Sequence, residues 1–348
     1  MTTTELLTAL CGSLGGSGDE EAPVQKALSI FGGGETDALG NGSASFGSGD
    51  AAAPHIVLEA HMDQVGLVVT HVDEAGFVRF SPCGGADIRT LPGCPVQVFA
   101  SGAGAPGGPL PGVVGSVPPH LQKDGPKQVP AVEEMAVDLG LAAEDVRAWV
   151  RPGDRAFQSY RPQVLQNGRF TSGALDNRAG AAALLRCARL LREAPLACRV
   201  TLLFTTREEV GGQGAVAAAF AAQPDAAICV DVGFGTQPSV KPEQSSPLGG
   251  GAMIGAAPIL DRAMGRRLAA LARAEQIPYA WDVMGGDTGT NSDALATTHS
   301  GVRTALLSIP LRNMHTPAEV IDPADVDAVA RLMAAYVRDF AKGGACNG

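Results

Sequence analysis

From residue 170 onward, strand-like apolar runs and helix-like segments take turns, and that alternation restricts this part of the chain to an α/β architecture. ALDNRAGAAALLRCARLLREA reads as a helix, with Asp176-Asn177 near its start. RVTLLFTT reads as a buried strand, GAVAAAFAAQ as a helix and DAAICVDV as a second strand. DRAMGRRLAALARAEQ and TALLSIPL add another helix and another strand. PADVDAVARLMAAYVRDFAK places Val326, Val329, Ala330, Met333, Val337 and Phe340 on one helix face. Asp322-Pro323 before it is a helix start signal. Upstream, PHIVLEA is a short apolar strand that ends at His61. Residues 1–35 read as two helices parted by a Gly/Ser turn, with Asp19-Glu20-Glu21 where negative charge suits the second helix's dipole.

The stretch from about 65 to 165 breaks the alternation. It offers short β-rich pieces (VGLVVTHV, GFVRFSP, PVQVFA, PGVVGSV, MAVDLG) separated by Gly and Pro, with one brief helix at AAEDVRAWV. Such a series predicts a small barrel or sandwich. The simplest organisation is one α/β domain, with helices on both sheet faces, split over residues 1–66 and 166–348. A β-rich domain, 67–165, is inserted after the strand that ends at His61. The 348 residues suffice for two domains and a substantial core. The softest stretches are the Gly/Ser/Ala runs at 38–53 and 101–112, and no internal repeat is evident.

Charge and cysteine usage exclude several classes. A net charge of -10 argues against a nucleic-acid-binding surface and against adsorption to anionic membranes. The seven cysteines, Cys11, Cys83, Cys94, Cys187, Cys198, Cys229 and Cys346, are odd in number and include no C-x-x-C pair. A disulfide framework or zinc knuckle is not expected, and most read as small buried hydrophobes. No Lys or Arg precedes Lys26, so a secretory n-region is missing, and no run approaches the roughly 18 apolar residues of a membrane span. A cytoplasmic protein is the expectation.

Ionisable residues fall just past apolar strands or at a helix start in five places: His61-Met62-Asp63, Asp176-Asn177, Glu208-Glu209, Asp231 and His315. Ligands of open α/β sheets bind at the carboxyl ends of strands. Taken singly, each has a plain alternative: a solvated loop, surface charge, or a helix cap. Together they would be costly to bury without a partner, and metal ions supply one. Imidazole nitrogen and carboxylate oxygen suit zinc, cobalt or manganese. Two divalent ions bring four positive charges, which Asp176, Glu209, Asp231 and one bridging hydroxide neutralise. Such a pair with a bridging water is a hydrolytic device. Glu208 is the candidate base, because neighbouring side chains diverge on an extended segment.

These residues sit in stretches that resemble the M42 family of metallo-aminopeptidases, the group of glutamyl aminopeptidases and tetrahedral TET peptidases. The matching stretches are LEAHMDQVGLVVTHVDEAGFVRF, LPGVVGSVPPHL, SGALDNRAGAAALL, FTTREEVGGQGA, CVDVG, GTNSDALA and IPLRNMHTPAEVI, which together run over almost the whole length. The resemblance implies a three-layer zinc-peptidase-like α/β sandwich with an inserted β-barrel. It implies an aminopeptidase that releases N-terminal residues from peptides, with a metal-bridging water as nucleophile. His61, Asp231 and Asp176 would hold one ion and His315, Glu209 and Asp176 the other, with Asp176 bridging. Glu208 would be the base, and Asp63 would orient His61. The inserted domain would mediate dimerisation, and a homo-oligomer up to a tetrahedral dodecamer is implied.

Two segments depart from the family pattern: VMGGDTGTNSDALA, and the long polar stretch between Cys229 and Gly251. Both are expected near the substrate side chain. A preference for acidic residues would need a basic group there, for which Lys241, Arg262 and Arg312 are candidates. His55 and His71 read as structural, His299 as a solvated loop residue, and His120 has no assigned role. Asp287 reads equally as a turn residue or a substrate contact, and Gly249-Gly250-Gly251 lacks the Lys-Ser/Thr of a phosphate loop. The competing readings are a glycoside hydrolase working with paired carboxylates alone, and a non-catalytic metal-binding assembly protein.

Overall fold

The computed structural model describes residues 1–121 and 129–343; Cys346 lies outside them. Four strands form the parallel centre of an eight-stranded sheet: Arg199–Thr205, His55–His61, Ala226–Phe234 and Arg303–Leu311. They are buried along almost their whole length, which is why they read as continuous apolar runs. Gly42–Gly47 pairs antiparallel with Arg199–Thr205 on one side. On the other side, Ala252–Ala256 pairs antiparallel with Arg303–Leu311 and parallel with the edge strand Tyr279–Val283.

Helices cover both faces. Thr3–Cys11, Glu21–Phe31, Leu175–Leu191, Arg262–Ala274 and Pro323–Phe340 lie on one face and enclose the main core. Gln213–Ala222 and Ser292–Thr297 lie on the other. Strand alternation divides the side chains between them. Ile56, Leu58 and Ala60 join the main core, whereas Val57 joins the opposite one. Glu59 and His61 share Val57's parity, and Asp231 shares that of Ala227 and Cys229. The polar residues thus fall on one face at the carboxyl edge of the sheet.

Gly66–Val72, Val78–Cys83, Pro95–Phe99, Leu110–Gly115, Ala136–Asp138 and Arg155–Gln158 close a six-stranded barrel with its own core, inserted in sequence after His61. A small three-stranded sheet, Gln163–Val164, Phe170–Ser172 and Glu319–Ile321, lies where the chain re-enters the α/β domain. The fold is the expected α/β sandwich with a β-barrel.

One expectation is corrected. The run at 38–53 is not merely soft, because Gly42–Gly47 is a sheet strand. Its small residues mask the apolar pattern but fit close packing. A Cβ at Gly42 would lie 2.7 Å from Val24 Cγ1. The cysteines behave as expected, with Cys11, Cys94, Cys187, Cys198 and Cys229 buried, Cys83 half-buried and all six free.

The last helix buries its predicted face. Asp322 caps it by accepting the Ala324 N–H at 2.9 Å, with Pro323 in its first turn. Met333→Ala should cost about 2–5 kcal/mol of stability. Arg331→Ala, at an exposed position of the same helix, should stay within about 0.5 kcal/mol. Guanidinium unfolding midpoints measure both, and equal losses would contradict this packing.

Candidate metal centre

His61 is the last residue of its strand and is fully buried. Its Nδ1 lies 3.2 Å from the Asp63 carbonyl oxygen and 3.3 Å from Asp63 Oδ1. A proton held there leaves Nε2 directed at Asp176 Oδ1 (3.1 Å) and Asp231 Oδ1 (3.8 Å). His315 is built the same way from the other side. Its Nδ1 donates to the Gly85 carbonyl at 3.1 Å, and Nε2 faces Asp176 Oδ2 (3.4 Å) and Glu209 Oε2 (3.6 Å). Asp176 therefore turns one carboxylate oxygen to each imidazole. It sits at the entry of the helix Leu175–Leu191, where its own dihedral angles are not helical.

All seven predicted residues come together. Three overlapping sets each bring their ligand atoms within 4.8 Å of one another: His61, Asp176 and Asp231; Asp176, Glu209 and His315; His61, Glu208 and Glu209. Asp231 lies three residues inside its strand rather than at its end. Glu208 and Glu209 are not on an extended segment, as expected above, but open a short 3-10 helix, Glu208–Val210. Arg207 before them takes a positive φ of 60°, which ends the strand and turns both carboxyls into one cavity.

Asp63 holds this turn in place. It accepts the backbone N–H of Glu208 at 3.0 Å and of Glu209 at 3.1 Å, and the Ser17 hydroxyl at 2.7 Å. Glu20 adds to the clamp by accepting the Arg207 N–H at 2.9 Å. Glu319 does the same for the other half, accepting the N–H of Asp176 (3.1 Å) and of His315 (2.9 Å). That second bond fixes His315 at its uncommon positive φ of 63°.

Ser17, Glu20, Gly85 and Glu319 were missed from sequence. Only Glu319 left a trace, as an acid beside an apolar pair four residues beyond His315. Glu59 left a similar trace inside PHIVLEA. It is fully buried and accepts from Thr205 Oγ1 (2.5 Å), Asn291 Nδ2 (2.8 Å) and Cys229 Sγ (2.9 Å), which fixes the 288–292 turn beneath the cavity.

The other candidates sort clearly. His55 is buried against Thr201 Oγ1 at 2.9 Å, and His71 is exposed in its strand. His120 is exposed. His299 is more than a solvated loop residue, because it stacks on Phe220 and bonds the Phe220 carbonyl at 2.6 Å. The Gly249 and Gly251 N–H groups donate to buried Asp325, so that loop is structural. Of the two departing segments, Val232, Gly233, Phe234, Met284, Thr288, Gly289 and Thr290 line the cavity. Residues 235–251 and Asp287 do not.

The electrostatics match a cation site. Burial pushes the Glu208 carboxyl up to about 8 and Glu209 up to about 9, and the neighbouring carboxylates add to both shifts. Burial opposes charge on His61, but hydrogen bonds to Asp176, Asp231 and Asp63 outweigh it and hold the imidazole well above its ordinary range. The bond to Asp176 carries His315 up to about 9. Asp176 shifts down, since the two imidazoles overcome its burial. The donors are imidazole nitrogen and carboxylate oxygen, which is what a zinc-class divalent ion takes.

Comparisons with known proteins agree. A sequence profile of the M42 glutamyl aminopeptidase family matches residues 40–332. A lysyl aminopeptidase of Pyrococcus furiosus is 30% identical over 308 residues, covering 87% of this chain and 86% of that protein. An aminopeptidase from the archaeon Desulfurococcus kamchatkensis superposes with a TM-score of 0.88 at 30% identity, over 97% of this chain and 94% of that one. The TET1 peptidase of Pyrococcus horikoshii, which can assemble into a tetrahedron or a large octahedral shell, superposes with a TM-score of 0.83. It is 29% identical, over 97% of this chain and 99% of that one.

The raised values predict proton release on metal binding. A pH of 7 lies below the raised pKa values of Glu209 and His315, so both hold protons in the metal-free protein. A divalent ion requires deprotonated donors and expels them. Calorimetric titration of metal-free protein with Zn2+ in buffers of different ionisation enthalpy should show net release at pH 7, shrinking as pH rises past about 9. A buffer-independent enthalpy at pH 7 would contradict the arrangement.

Proposed function

The chain belongs to the M42 glutamyl aminopeptidase family, and from that premise we propose that it is a dinuclear metal-dependent aminopeptidase with Glu208 as its general base. The observation that carries the reading is the shared carboxylate, with Asp176 Oδ1 toward His61 and Oδ2 toward His315. Asp176 with His61 and Asp231 would hold one ion. Asp176 with His315 and Glu209 would hold the second. A divalent ion of the zinc, cobalt or manganese type held by these donors would acidify water and polarise a carbonyl.

The remaining work falls to the chain's own side chains. Glu208 stands outside both sets that share Asp176 yet lines the same cavity. Its carboxylate takes the proton of the attacking water and gives it to the leaving amine nitrogen. A pKa raised by burial toward neutrality suits both halves of that transfer. Asp63 acts through others: it aligns His61 and pins the backbone of the Glu208–Glu209 turn. The acidic lining of the cavity favours a substrate's α-ammonium group, which fits cleavage at peptide N-termini. A glycosidase would use two carboxylates alone and would not need two imidazoles aimed at a common aspartate.

Assembly is proposed to proceed through the barrel, to a dimer and then a closed shell. Exposed Phe77, Val113, Leu121 and Val129 in or beside the barrel support a buried face there. Among the described residues no helix is long and apolar enough to cross a membrane, in keeping with a cytoplasmic site of action.

Glu208→Gln should keep its metal content by elemental analysis and lose roughly 10²–10⁴-fold in turnover of aminoacyl-nitroanilides. Near-normal hydrolysis would end the base assignment. A chelator should abolish activity, and added zinc, cobalt or manganese should restore it. Gly85→Ala tests the second ion site, because a Cβ there would lie 2.6 Å from His315 Nδ1. The expected result is a loss of roughly 10–100-fold in affinity at one of two sites. An unchanged binding isotherm would show that His315 is not a ligand.

A further inference from the structure

The cavity beside the Glu208–Glu209 turn has a volume of about 480 Å³, within the range of a small-ligand site. Its wall away from His61 and His315 is formed by the edge strand Tyr279–Val283 and its neighbours. There Val232, Phe234, Met284 and Leu306 give an apolar surface, and Asp282 is the one ionisable group. Trp281 and Val283 line a separate groove behind the strand, as strand alternation requires.

Asp282 is half-buried, and its carboxylate makes no hydrogen bond or ion pair among the described residues. Burial alone acts on its carboxyl and pushes its pKa up. An unpartnered carboxylate in a partly dry wall is unfavourable unless something cationic meets it. The protein does not supply that cation, since no Lys or Arg among the described residues lines the cavity. Arg262 lines the groove behind the strand, Arg312 donates to the Thr236 carbonyl, and Lys241 is exposed outside the lining. An acidic substrate side chain would find no partner here and would face Asp282 and the carboxylates of the proposed metal centre.

We infer that Asp282 selects substrates whose N-terminal residue is basic, with the apolar wall taking the aliphatic stem and the carboxylate taking the charged end. Lys and Arg have that division of an apolar stem and a charged tip. The inference rests on the aminopeptidase reading above and specifies its substrate class.

The test compares lysyl- and norleucyl-nitroanilide, which share a four-carbon stem and differ in charge, on the metal-loaded full chain. Lysyl should lead norleucyl in kcat/KM by roughly 10–100-fold, the range of one charge-assisted bond. Asp282→Asn should collapse that ratio by at least about tenfold. Binding of L-lysine and L-norleucine, measured by calorimetry on the same proteins, should show the same preference and the same loss. Equal use of the two substrates by the unaltered protein overturns the inference, as does a fall in Asp282→Asn common to both, which would mark Asp282 as an α-ammonium or structural group. If no nitroanilide is cleaved, the aminopeptidase reading fails separately. The binding arm then still decides Asp282: a lysine preference lost in Asp282→Asn supports it, and its absence overturns it.

Discussion

Mutual repulsion among carboxylates is the constraint around which the carboxyl edge of this sheet is organised. Asp63, Asp176, Glu208, Glu209 and Asp231 crowd two imidazoles, and burial removes the water that would screen them. A fold can hold such a group only by fixing the backbone that carries each member. Asp63 binds the N–H groups of Glu208 and Glu209, and Glu319 those of Asp176 and His315. Fully buried Arg178 adds a positive charge behind Asp63 and Glu20. These backbone bonds fix each donor's position, which is the preorganisation that a hydrolytic site requires.

The barrel is not independent of this chemistry. The turn after its strand Val78–Cys83 supplies the Gly85 carbonyl that orients His315, and Gly84 needs its positive φ of 72° to pass beside Glu209. A side chain at Gly85 would occupy the imidazole's place. The two domains therefore share one half of the proposed two-ion site, while His61 and Asp231 are carried by strands of the sheet.

The α/β alternation, the barrel and the seven residues that converge at the carboxyl edge were legible because each rests on local signals. Buried parallel strands announce themselves as apolar runs, and charged residues at their ends stand out against them. What escaped notice had no such contrast. Gly42–Gly47 is a strand whose small residues carry little apolar pattern, and Ser17 is a serine in a Gly/Ser turn. Glu20 looked like a helix-dipole charge, yet its carboxylate holds Gly18 and Arg207 instead. Arg207 and His315 take positive φ values that no side-chain pattern announces.

By itself the sequence determined which residues would be buried, in what order strands and helices would follow, and which donors were available for a cation. Those properties depend on hydropathy period and residue type, both local to the chain. Tertiary structure alone decided how the donors pair, that Asp176 lies between His61 and His315, and that Asp282 faces the cavity without a partner. Those outcomes depend on distances between segments more than a hundred residues apart, such as His61 and Asp176, and on the register that brings strand ends to one edge.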